Sequence, residues 1–334
     1  MKITVFEIEP WECETFRDLN QDHQVRFEEG NLTADNAGQY QDTEIISVFI
    51  YSKLTQEALS KLKNLKCIAT RSTGFDHIDL DYCKENQITV CYVPTYGENT
   101  VAEHVFALLL AISHRLVEAA DRTRKGDFSQ QGLQGFDLRG KTMGVVGTGN
   151  IGRHTLKIAK GFGMEIIASD VEQDQQLARE LGFEYLELKE LLGRADVVSL
   201  HVPGSEATRG LLGEEQIEAI KDGAILINTS RGPVVEVQPL LKALSSGKIA
   251  AAGLDVLPEE PVIREEAELL RSVFSREHNL ETLLADHVLL RLRNVIITPH
   301  SAFNTREAMQ RILDTTRENI DAFLAGEPSN VVER

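Results

Sequence analysis

The sequence predicts an α/β protein built from two doubly wound parallel sheets. Three observations point there. Apolar strand-like runs alternate with helical ones up to about residue 98, a second alternation of the same kind begins at residue 143, and a chain of 334 residues exceeds the usual size of one domain.

In the first alternation the strand-like runs are residues 3–8, 45–51, 67–71 and 88–93, with helical patterns near 56–63 and 80–85. At Thr100-Val101-Ala102-Glu103 the residue types match a capping box, so a long helix is expected to start there and run to about Arg124, carrying the chain into a second domain. Gly140 and its polar surroundings mark the junction between that helix and the new sheet. The second alternation comprises 143–147, 165–169, 197–201, 224–228, 250–256 and 295–298. Each run ends in polar or glycine-bearing residues, and in open α/β sheets ligands bind beyond the carboxyl ends of the strands. The last segment, 305–326, reads as a helix with Ala308, Ile312, Ile320 and Phe323 among its apolar positions and Gly326 as its stop. Because it follows the last strand of the second domain, it is placed to return to the first and make that domain discontinuous.

Charge and cysteine usage narrow the class of partner. Acids number 52 against 35 bases, a net charge of −17, which repels nucleic acid and anionic membrane surfaces and leaves any anionic substrate to be caught by local groups. Cys13, Cys67, Cys83 and Cys91 lack the close pairing of a zinc site or redox dithiol, so no metal is expected and reduced thiols in a cytoplasmic protein are the simpler reading. Residues 1–6 read as a strand, not as the apolar core of a signal peptide, and the apolar stretch 105–112 is far too short to span a bilayer.

The most specific motif lies in mid-chain, where Met143-Gly144-Val145-Val146 runs into Gly147-Thr148-Gly149-Asn150-Ile151-Gly152 and, after Glu165-Ile166-Ile167-Ala168-Ser169, a carboxylate follows at Asp170. Strand, turn, helix, second strand and terminal acid appear in the order of a dinucleotide-binding fingerprint. Gly147 turns sharply out of the strand, Gly149 lets the backbone approach a pyrophosphate, and Gly152 lets the helix pack close to the sheet. The anion would rest on the helix N-terminus. Asp170 would accept hydrogen bonds from the adenosine ribose and repel a 2′-phosphate, and Val171-Glu172 place no arginine immediately after it, so NAD is favoured over NADP.

Three further strand ends supply ionisable groups: Asn228-Thr229-Ser230-Arg231-Gly232, then Leu254-Asp255-Val256-Leu257-Pro258-Glu259-Glu260-Pro261, then Ile297-Thr298-Pro299-His300. A guanidinium, a carboxylate and an imidazole from neighbouring strand exits match what hydride transfer at an alcohol carbon needs: a cation for the substrate anion, a base for the hydroxyl proton and an acid that tunes the base. Singly, each has an ordinary alternative. Arg231 can pair with a surface acid, Glu260 can be solvated, and His300 can be a satisfied core histidine.

Taken together these segments resemble the D-isomer-specific 2-hydroxyacid dehydrogenase family over almost the whole chain. The family's arginine, glutamate and histidine motifs are matched by 228–232, 253–261 and 298–300. Ser72-Thr73-Gly74-Phe75-Asp76 resembles the loop whose amides hold a substrate carboxylate, which assigns Thr73 and Gly74 to substrate. Val93-Pro94-Thr95-Tyr96-Gly97-Glu98 and Pro299-His300-Ser301-Ala302-Phe303 are similar to the D-lactate dehydrogenase branch, with Tyr96 and Phe303 near the substrate; that branch often has serine-proline where Gly97-Glu98 stands.

What the resemblance implies is a Rossmann NAD-binding domain, 100–299, inserted in a flavodoxin-like substrate domain, 1–99 with 300–334, and a homodimer joined through the NAD-binding domains. It further implies that Arg231, Glu260 and His300 are catalytic, that Asp255 contacts the carboxamide end of the nicotinamide, and that His201-Val202-Pro203 and Thr229-Ser230 line the cofactor. The expected reaction is reduction of a small 2-oxo acid such as pyruvate. Glyoxylate, hydroxypyruvate, phosphoglycerate and phosphite enzymes share the scaffold, as does a class of NAD-sensing corepressors. The segment 262–293 is longer than a minimal member requires and is expected to be a helical decoration.

Overall fold

Short runs of valine, isoleucine and alanine with both faces covered favour parallel pairing, because helical crossovers shield each side of such a sheet. In this computed structural model, residues 1–258 and 288–332 are described. The chain divides into two compact units, Met1–Tyr96 with Thr305–Arg334, and Gly97–Asn304.

In the first unit β1 (Lys2–Val5), β2 (Gln24–Phe27), β3 (Ile45–Val48), β4 (Cys67–Thr70) and β5 (Thr89–Cys91) form a parallel sheet in the order β2-β1-β3-β4-β5. β3 and β4 are buried at every position, as continuous apolar strands in a covered sheet should be. β2 was not expected: Gln24-Val25-Arg26-Phe27 is short and alternates polar with apolar, the pattern of a half-exposed edge. The C-terminal helix Arg306–Leu324 starts where Thr305 Oγ1 accepts the amide of Ala308 (3.2 Å). Its buried Leu313 and Ile320 pack with Ile3, Val5 and Phe16, and Asn319 Nδ2 donates to the Tyr92 carbonyl (2.9 Å). Both ends of the chain therefore share one core.

The second unit opens with a helix that begins earlier than the capping-box reading placed it. Glu98–Ser113 is entered through Gly97, whose carbonyl accepts the amide of Val101 (2.8 Å), so Thr100 lies buried inside the first turn and is not the cap. The helix also ends earlier. Arg115 takes φ +48°, which breaks the run, and a separate helix Leu116–Arg124 follows with no buried side chain. Val105, Leu108 and Leu109 of the first helix join Met143, Val145, Leu156 and Ile225 in one cluster. That packing places residues from Gly97 onward in the second unit.

Its sheet has seven strands: β6 (Thr142–Val146), β7 (Glu165–Ser169), β8 (Glu184–Tyr185), β9 (Val197–Leu200), β10 (Ala224–Asn228), β11 (Ile249–Leu254) and β12 (Val295–Ile297), in the order β12-β11-β10-β9-β6-β7-β8. β8 escaped the sequence pattern because it is only two residues long. Strand order reverses between β9 and β6, the switch point at which open α/β sheets bind ligands. His300 and Phe303, expected in the substrate domain, fall in this unit, since its boundary lies after Asn304. The helical expectation for 264–274 and most of 280–292 lies outside the described residues. Among the described residues, no single helix is long and apolar enough to cross a membrane.

Candidate active site

β6 delivers the chain to Gly147, whose φ of +93° suits glycine, and a Cβ there would lie 2.6 Å from the His201 carbonyl oxygen. At Gly152 a Cβ would lie 2.0 Å from the Gly147 carbonyl oxygen, so helix Asn150–Gly161 presses on the turn it follows. Gly149 borders open space, with nothing within 4 Å of an added Cβ. Asn150 and Ile151 open the helix, whose leading amides face that side.

Asp170 ends β7 in a fully built setting. One carboxylate oxygen accepts the Thr148 amide (2.5 Å) and hydroxyl (2.8 Å), and the other accepts the Glu172 amide (3.0 Å). Desolvation alone would raise its pKa, but these donors outweigh it and hold the carboxyl below its ordinary range. The second oxygen keeps acceptor capacity for a ribose hydroxyl. At the exit of β10 the Thr229 hydroxyl is buried with no hydrogen-bond partner, an unusual cost for a native interior. Open space over Gly149, an ionised acceptor at Asp170 and an orphaned hydroxyl fit a bound dinucleotide. Ser230 Oγ donates to Asn228 Oδ1 (2.7 Å), which shapes the same exit. The His201 ring turns back to Ser199 Oγ (2.9 Å), and burial pushes its pKa down to about 3, so it acts as a neutral wall behind Gly147, with Val202 and Pro203 following.

β10, β11 and β12 are neighbours, so the loops carrying Arg231, Asp255 and His300 leave one edge side by side. Arg231 is fixed through its main chain, its carbonyl accepting from Asn228 Nδ2 (3.0 Å), and its stem crosses Gly204, where a Cβ would meet Arg231 Cγ at 2.8 Å. His300 takes φ +51° and its amide donates to the carbonyls of Asp255 and Thr298, both at 2.9 Å. Its ring meets Phe303 edge-on at 6.5 Å. Glu260 lies outside the described residues.

Asp255 holds the loop of His300. Its side chain is 1% exposed and its carboxylate accepts the Thr298 hydroxyl and the amides of Ser301 and Ala302 (2.9 Å each), so it ties down the loop on both sides of His300. His104 Nε2 completes the cluster, 3.0 Å from Thr298 Oγ1 and 3.5 Å from Asp255 Oδ1. Sequence reasoning missed His104 and Thr298, because 194 residues separate them and His104 sits just ahead of the apolar run of its helix.

The predicted carboxylate loop lies in the first unit. Beneath it Arg71, 1% exposed, donates to the carbonyls of Phe6 (2.7 Å) and Glu7 (2.6 Å), tying the end of β4 to the end of β1. Thr73 Oγ1 donates to the Val93 carbonyl (2.7 Å), and Ser72 Oγ donates to the Gly74 carbonyl (2.6 Å). Ser72 in turn accepts from Thr70 Oγ1 (2.7 Å), which meets His77 Nε2 at 3.2 Å. This orders the chain of donors from His77 to Gly74 and requires a proton on His77 Nε2. Tyr96 is half-buried, and its carbonyl accepts from Arg311 Nε.

Burial pushes the His77 pKa down to about 4 from 6.5, opposed only by Asp76. Between these values the unfolded chain binds the proton and the folded chain does not, so stability is fully present above pH 6.5 and is lost as pH falls towards 4, by about 3 kcal/mol. Urea unfolding should show His77→Asn losing part of the decline that the parent protein shows between pH 6.5 and 4.5. An identical pH slope in the two would show that His77 is charged in the fold.

Residues 106–302 match the family model for the NAD-binding domain of D-isomer specific 2-hydroxyacid dehydrogenases. The chain is 35% identical to a D-lactate dehydrogenase of Escherichia coli, over 98% of each chain, and 36% identical to a glyoxylate reductase of Thermococcus litoralis, over 88% of this chain and 84% of the relative. Its structure is similar to that of the D-lactate dehydrogenase of Aquifex aeolicus complexed with NAD and lactic acid, with a TM-score of 0.84, 37% identity, and coverage of 97% and 96% of the two chains. A dinucleotide site at the sheet's switch point, with an arginine and a histidine on the strand exits either side of β11, accords with those matches. The chain belongs to the D-isomer specific 2-hydroxyacid dehydrogenase family and is an NAD-dependent D-2-hydroxyacid oxidoreductase.

Proposed function

We propose that this enzyme is a D-lactate dehydrogenase that reduces pyruvate reversibly. The placement of Arg231 and His300 at the exits of β10 and β12, which flank β11 in the sheet that carries the Gly147–Asp170 dinucleotide site, carries this reading. Similarity to D-lactate dehydrogenases over nearly the full chain supports it.

Bound NAD supplies or takes up the hydride. Arg231 holds the carboxylate of the 2-oxo acid and polarises its ketone oxygen, a task for which a fork of donors suits better than a point charge. The amides of Thr73 and Gly74 act as further carboxylate donors. His300, protonated, donates to the forming alkoxide, and neutral His300 takes the hydroxyl proton in the reverse direction. Glu260 is proposed as the acid partner of this base.

Glyoxylate and hydroxypyruvate reductases are as similar to the chain as the lactate enzymes, so the acid's side chain decides between two readings. Ranking pyruvate, glyoxylate and hydroxypyruvate by kcat/KM with NADH separates them. Pyruvate is expected to rank first with D-lactate as product; preference for hydroxypyruvate or glyoxylate would replace this assignment, and tight NADH binding without turnover would point to a sensor.

The active form is proposed to be a cytoplasmic homodimer. Helix Leu116–Arg124 buries none of its side chains, Leu116 and Val117 are exposed, and Phe128 beyond it is 80% exposed, an apolar surface suited to a second copy of the unit. Four free thiols suit a reducing compartment. Sedimentation should give a dimer that Phe128→Glu weakens; a monomeric parent protein would exclude it.

A further inference from the structure

The carboxylate that faces the adenosine ribose belongs to a closed ring of side chains. The Asp174 amide donates to Tyr185 Oη (3.2 Å), Tyr185 Oη meets Thr148 Oγ1 (2.9 Å), and Thr148 Oγ1 donates to Asp170 Oδ2 (2.8 Å). Arg153, on the helix that follows the glycine turn, closes it: its Nε donates to the Thr148 carbonyl (3.1 Å) and its Nη2 pairs with Asp174 Oδ2 at 3.1 Å. A guanidinium and the ribose carboxylate thus hold the same residue, Thr148, from its two sides. Arg153 is 44% exposed and Asp174 33%, so both border solvent beside this site.

A 2′-phosphate would meet Asp170 and the neighbouring Glu172 as repulsive charges and a guanidinium as its natural partner. Here that guanidinium is already engaged. Asp174 is itself held rigidly, its other oxygen accepting the amides of Gln176 and Leu177 (3.0 Å each) as the cap of helix Gln175–Leu181. A fixed carboxylate keeps the arginine neutralised and turned towards the cap.

We propose that the Arg153–Asp174 ion pair is a second determinant of coenzyme choice, in which Asp174 withholds from a 2′-phosphate the one cation that Thr148 brings to the ribose site. Asp170 rejects the phosphate by charge, and Asp174 rejects it by occupying its receptor. The inference rests on the assignment of this site to NAD, and predicts that removing Asp170 alone realises only part of the possible affinity for NADPH.

Equilibrium titration by nucleotide fluorescence, without substrate, tests it on the full-length protein. Asp174→Asn keeps an N-cap, since asparagine caps as well as aspartate, and removes only the charge. NADPH should bind Asp170→Ser/Asp174→Asn at least about tenfold more tightly than Asp170→Ser, the scale of one charge-assisted hydrogen bond, and adding Arg153→Ala should abolish the gain. NADH is titrated in parallel with each protein. Equal NADPH affinity in the single and double variants, or a gain that survives Arg153→Ala, overturns the proposal while NADH binding leaves the coenzyme assignment standing. Failure of the parent protein to bind NADH overturns both.

Discussion

His300→Ala is expected to lower kcat for 2-oxo acid reduction by about 10²- to 10⁴-fold, the usual contribution of a positioned general acid. The fold and NADH binding should survive, because the loop is held through main-chain contacts: the His300 amide reaches two carbonyls, and Asp255 grips the amides of Ser301 and Ala302. Reduction consumes a proton at this imidazole, so the loss should fall on kcat and leave the affinity for NADH unchanged. Near-normal turnover would assign the proton to another group. The expected loss is confined to chemistry, which separates it from damage to the site's framework.

Arg231→Lys should lower kcat/KM about 10- to 100-fold, through both a higher KM and a lower kcat. A lysine keeps the charge but offers no fork, so one of two charge-assisted bonds to the carboxylate and ketone is lost. The site around it is shaped for the arginine stem, which lies against Gly204, while its main chain is bound by Asn228. Unchanged kcat/KM in the lysine variant would remove Arg231 from substrate binding. Because Asn228 and Gly204 hold the backbone and stem whichever residue stands there, circular dichroism and NADH affinity should remain those of the parent.

Periodicity and turn chemistry exposed most of the framework. Strands that are buried on both faces, such as Ala224-Ile225-Leu226-Ile227-Asn228, announce themselves as apolar runs, and the glycine turn at Gly147 does so through spacing. The short edge strands β2 and β8 did not, because edge positions tolerate polar residues and two-residue strands have no period. The helix start was misplaced for a related reason: Thr100 and Glu103 have the residue types of a cap, but Gly97 turns the chain first. In the site, residues at strand exits were readable individually. What spacing withheld was their mutual service, in which Asp255 holds the His300 loop, His77 and Arg71 support Ser72 to Gly74, and Tyr185 and Arg153 enclose Thr148. Such partners are brought together only by tertiary packing, as with His104 and Thr298.

The central claim is transfer of a hydride between the nicotinamide and C2 of a 2-oxo acid, with the proton passing through His300. Reduction of pyruvate by NADH carrying deuterium at both C4 positions tests it directly, with the product analysed for label and configuration. The account predicts deuterium on C2 of D-lactate and none exchanged with solvent. Unlabelled lactate, the L isomer, or oxidation of NADH without a reduced acid would contradict it.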